Sequence, residues 1–151
     1  MSEPSLLIFD TARIVGVLDG LLRSELTATN TYQLALDRLG SDAPVAICDG
    51  LESHRRRCTL IAEHIQGLGG PSTAQGGLWN GFTRLFANGR MRIDRHAICA
   101  ALQEGEYRTL IHYHEAAIRL DEDSLAVLEE HLLPELYRIH HALSTLAIKG
   151  S

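Results

Sequence analysis

Glu25, His54, Glu106 and His140 are the residues of this 151-residue chain best suited to chemistry, because each sets a metal-capable side chain on an otherwise apolar helical stripe. Burying such groups is costly unless something binds them. Their surroundings also repeat. Tyr32 follows Glu25 by seven residues and Tyr113 follows Glu106 by seven, both pairs being offset by 81 (106 − 25 and 113 − 32). His140 lies 86 residues after His54, and the flanks Cys58-Thr59-Leu60 and Ser144-Thr145-Leu146 share that offset. A duplicated helical hairpin is the simplest reading. Two carboxylates and two imidazoles meeting in one core suit iron, manganese or zinc, since imidazole accepts borderline metals and carboxylate harder ones. The same groups suit a metal-free network, with each glutamate paired to a histidine or a tyrosine hydroxyl.

Four long helices must position these groups. Apolar residues from Ile14 to Leu39 recur at three and four, which predicts a first helix over 10–39 with Asp10 available as its cap and Gly40 as its stop. The stripe Ile47, Leu51, His54, Cys58, Ile61, Ile65 predicts a second over 43–68, ended by Gly69, Gly70 and Pro71. Residues 70–93 read as a crossover whose island Leu78, Trp79, Phe82, Leu85, Phe86 forms a short helix over one end of the molecule. A third helix is expected over 94–119. A fourth runs over 124–148, with Asp121, Glu122 and Asp123 as turn and N-cap and a kink where Pro134 removes a backbone hydrogen bond. The result is one all-α domain, an antiparallel four-helix bundle over residues 1–151. Depth is compatible with convergence: Glu25 lies 14 residues before Leu39 and His54 lies 11 after Ala43, a difference under one turn at ~1.5 Å per residue.

With its glutamate and tyrosine seven apart on helices one and three, histidines on helices two and four, and a long crossover, the chain resembles the ferritin-like superfamily. The run Leu21-Leu22-Arg23-Ser24-Glu25, the Gly69-Gly70-Pro71 turn, Trp79 and Glu104-Gly105-Glu106-Tyr107 look like a family of small bacterial ferritin-like bundles of unknown function. The resemblance implies a metal centre on Glu25, His54, Glu106 and His140, iron or manganese ahead of zinc, with Tyr32, Tyr113 and Tyr137 orienting the ligands. It further implies a metal-handling or oxidative-stress role, or an oxidase or peroxide-handling activity. The chain departs from the superfamily at one point: Glu-x-x-His is absent twice, with Leu51 three before His54 and Tyr137 three before His140. A standard di-iron centre is therefore not expected. A single ion, a dinuclear site completed by water, or a metal-free bundle acting through self-association or a protein partner remain.

A net charge of −5 argues against a nucleic-acid partner, and the run Arg55-Arg56-Arg57 reads as a solvated helix face. No stretch reaches the ~18 apolar residues of a membrane span, and no targeting segment is evident, so a cytoplasmic protein is expected. The three cysteines, Cys48, Cys58 and Cys99, read as reduced and mostly buried. The remaining histidines read as exposed or capping. Trp79, Phe82 and Phe86 are anchors for the chain's own end or for a small homo-oligomer.

Overall fold

The computed structural model describes the backbone of residues 3–70, 74–87 and 95–149, and the side chains of residues 10–70, 74–85 and 95–146. The described residues are all-helical, without strands. Helix α1 spans Glu3–Leu39, α2 Val45–Gly67, α3 Asn80–Ala87 and α4 Arg95–Ala117. The last stretch comprises α5 (Glu122–Val127), a π segment (Leu128–Leu132) and α6 (Leu133–Lys149).

Between α1 and α2 the chain reverses in a 3-10 turn, Gly40–Asp42. Gly40 takes a left-handed φ of 61°, a conformation that glycine adopts without steric cost. Contacts then run in opposite directions along the pair: Tyr32 packs at Gly50 and Val15 at Gly70. Each of α1, α2, α4 and α6 packs against two of the others, α1 with α2 and α4, α6 with α2 and α4. On the outside, α2 and α6 are joined by ion pairs from Arg138 to Asp49 and from Arg56 to Glu135, and Arg138 also pairs with Glu135 within α6. Apolar side chains form two clusters, one around Ala28, Ile47, Phe82, Leu102 and Leu143, the other around Leu18, Ile61, Ile65, Leu128 and Leu136.

The crossover follows α1. Gly77 N–H donates to Thr27 Oγ1, Asn30 Nδ2 to the Gly77 carbonyl, and Trp79 N–H to the buried Thr31 hydroxyl oxygen at 3.0 Å. Those bonds satisfy backbone groups that a chain crossing an apolar surface would otherwise leave bare.

Several expectations need correction. The first helix begins at Glu3, so Asp10 lies inside it and caps nothing. The short helix α3 packs beside the start of α4, with Gly81 against Ala101 and Arg84 paired to Glu104, and buries Phe82 in the apolar cluster that holds Leu39, Ile47, Ile98 and Leu146. The side chain of Phe86 lies outside the described residues. Cys48 is exposed, while Cys58 is partly buried and Cys99 buried. Asp121 does cap the last stretch, its carboxylate accepting from Ser124 N–H. Just before Pro134 the helix passes through a π segment. Leu133 N–H bonds back five residues to Leu128, and the turn closes without the N–H that proline lacks.

Candidate functional site

Between the two apolar clusters, three of the four singled-out residues meet, and all three are fully buried. His54 stands in the middle: its Nδ1 lies 2.8 Å from Glu25 Oε2 and its Nε2 2.6 Å from Glu106 Oε1. Tyr32 donates its hydroxyl to Glu106 Oε1 at 2.6 Å. The helices supply this because Glu25 and Tyr32 are seven residues apart, two turns along one stripe of α1.

Arg57 joins them. It is fully buried, its Nη1 donates to Glu25 Oε1 at 3.3 Å, and its Nη2 lies 3.0 Å from His54 Nδ1. The solvated-face reading therefore holds for Arg55 and Arg56, which are exposed, and fails for Arg57. A signal was present: Arg57 follows His54 by three and precedes Ile61 by four, which is the spacing of the buried stripe itself.

The charges of the site depend on one another. Burial alone would drive the His54 imidazole toward neutrality, but the Glu106 and Glu25 carboxylates outweigh it and raise its pKa above the usual value. Burial would likewise raise Glu106, yet the charge and hydrogen bond of His54, with Arg57 and Tyr32, hold it below the ordinary carboxylate value. Arg57 is raised despite its burial, chiefly by Glu25. Burial, reinforced by Glu106, keeps the Tyr32 phenol protonated well above its usual range, and burial with Glu25 does the same for Tyr113. Two carboxylates thus face an imidazolium and a guanidinium, and the four charges sum to zero. With Nδ1 protonated toward Glu25, the 3.0 Å approach of Arg57 Nη2 to that nitrogen is a contact between two donors, held there by the Glu25 carboxylate that both face.

His140 does not join this group. It is partly buried, and Ile139 and Leu143 on either side of it take the core positions of α6. Its Nδ1 and Glu106 Oε2 are buried without a hydrogen-bond partner, while the buried Tyr113 hydroxyl lies near enough to Glu25 to feel its carboxylate. Tyr137 is 47% exposed and its hydroxyl meets exposed His114 Nε2 at 3.1 Å, so it orients nothing in the core.

Trp79 closes the site from the crossover side. Its ring lies edge-on to Tyr32 and His54, with centroids 5.8 and 6.1 Å away. Gly105 leaves room for it, since a Cβ there would fall 2.0 Å from Trp79 Cδ2 and Cε3. Gly50 does the same for Tyr32, with a Cβ falling 2.3 Å from Tyr32 Cε1.

The donor set fits a resident metal poorly. Glu25 and Glu106 bind opposite edges of one imidazole, so in this arrangement both ring nitrogens of His54 are taken by carboxylates. Arg57 adds a fixed positive charge where a cation would sit. Among the described residues no group of three or more His, Cys, Asp and Glu side chains is arranged to hold an ion. Comparison with family models, with curated proteins and with solved structures finds no match to this chain.

Proposed function

We propose that this chain is an antiparallel four-helix bundle of the ferritin-like type in which a buried ionic network takes the place of a metal centre, and that it works without catalysis through its surfaces. The up-down-down-up order of α1, α2, α4 and α6, with a crossover between the hairpins, supports the bundle assignment. One observation carries the rest: His54 bridges Glu25 and Glu106 through both nitrogens while Arg57 balances the remaining charge. A core neutral in itself has no electrostatic need of an ion. Buried polar groups of this kind specify a single packing more than they add stability, since a shifted register would strand them. That suits a module whose outer faces must be presented in one arrangement.

A second reading keeps the metal. Glu106 Oε2 and His140 Nδ1 are buried without partners, and they favour an ion held by Glu106, His140 and a reoriented His54 or Glu25. When bound, iron or manganese would supply redox or peroxide chemistry there. Elemental analysis of the full-length protein, purified without chelator and then titrated with Fe(II), Mn(II) and Zn(II), separates the two. The ionic-core reading expects far less than one equivalent and a melting temperature unmoved by added metal. Near one equivalent, lost in a Glu25→Ala, Glu106→Ala double variant, would overturn it in favour of the metal.

A further inference from the structure

The outward face of α4 and the turn that follows it carry a row of large side chains that no described residue covers. Tyr107, Ile111 and Ile118 are 59%, 39% and 86% exposed, and exposed His114 stands among them. Tyr137 of α6, bonded to His114, widens the patch. Positions 107, 111 and 114 are spaced four and three along α4, the alternation that keeps one stripe of a helix against another helix, and Ile118 lies four further on, in the turn just past its end. That spacing reads the same from either end. On two antiparallel copies related by a two-fold axis, Tyr107 meets Ile118 of the second copy and Ile111 meets its His114, because both pairs sum to 225 (107 + 118 and 111 + 114).

Charge selects the same arrangement. Arg108 and Glu115 flank the stripe on one side, seven residues apart, both exposed. Antiparallel pairing sets Arg108 of each copy beside Glu115 of the other, two opposite-charge pairs. The ends agree. Around Glu104, at the N-terminal end of the stripe, stand Arg84 and Arg108, 65% and 53% exposed. At the other end Asp121, Glu122 and Asp123 outnumber the exposed Arg119. The two-fold brings each basic end over the other's acidic end, and such complementarity fixes register and orientation.

We propose that this chain forms a homodimer through the exposed face of α4, two antiparallel copies joined by Tyr107, Ile111, His114 and Ile118 and oriented by Arg108–Glu115 pairs. The proposal concerns the outside of the molecule and stands whether or not the core holds a metal.

Sedimentation velocity on the full chain tests it, with circular dichroism reporting that each variant is folded. The wild type is expected to be dimeric at micromolar concentration. Ile118→Asp, at the most exposed position of the row, buries a charge twice per dimer and weakens association roughly 100-fold. Arg108→Glu and Glu115→Arg each weaken it, and the double variant Arg108→Glu, Glu115→Arg regains most of the affinity because the pairs re-form with reversed sign. A wild type monomeric at about 100 µM, a dimer indifferent to Ile118→Asp, or a double swap no better than either single variant would overturn the proposal.

Discussion

Replacing Arg57 with methionine tests the ionic core most directly. The substitution keeps most of the side chain's volume and removes one charge, leaving two carboxylates to face a single imidazolium. Arg57 and its partner Glu25 are both fully buried, so solvent does not screen the loss. Breaking a buried pair by deleting one member costs about 3–5 kcal/mol, most of it the penalty of the charge left behind. In a domain of this size each kcal/mol shifts the melting temperature by about 2–4 °C, so a drop of about 12 °C is expected. Urea unfolding followed by helical ellipticity gives the free energy itself. The companion is the double variant Arg57→Met, Glu25→Gln, which restores neutrality and should recover all but about 1–2 kcal/mol. The reasoning is refuted if Arg57→Met costs less than about 1 kcal/mol, or if the double variant is no more stable than the sum of the singles implies.

Further expectations concern protons, hydrogen bonds and shape. His54 is raised above 6.5, so its contribution is complete below that value and is lost as pH climbs through its folded pKa. Glu106 is lowered below 4.5, so its contribution is complete above that value and is lost as pH falls through its own. Melting temperature should therefore peak between about 4.5 and 6.5; a steady rise from pH 6 to pH 9 would contradict the charged His54. Tyr32→Phe removes the 2.6 Å bond to Glu106 and should cost about 1.5–3 kcal/mol in urea unfolding, with no loss meaning that the bond is dispensable. Gly105→Ala places a methyl inside the Trp79 ring and should cost at least about 1–3 kcal/mol; combined with Trp79→Ala it should add little, and full additivity would argue against the contact.

Much of this molecule could be read from residue spacing. The 3.6-residue period marked every long helix, and the stripe through Glu25, His54 and Glu106 placed three polar groups at one depth. Arg57 escaped because adjacent arginines suggest solvent, although its distance from His54 and Ile61 is that of the core face. His140 buries its Nδ1, yet the residue is only partly buried and Ile139 takes the fully buried position. A regular period does not separate Ile139 from His140 as the inward residue, and the π segment upstream admits an extra residue into one turn and so resets the phase of all that follows. Proline announces a disturbance at that place without giving its size. The first helix ran seven residues past its expected start because Asp10 resembles a cap, and capping residues also occur inside helices that tertiary packing extends.

Trp79 is the chain's sole tryptophan, and it stands edge-on to the central imidazole. Its emission therefore originates beside the one ring whose protonation balances the core, and an imidazolium accepts electron density from an excited indole more readily than a neutral ring does. Deprotonation of His54 would brighten the native protein without unfolding it, whereas displacement of the crossover would shift the emission to the red. The two events can be told apart by colour and intensity in unlabelled material.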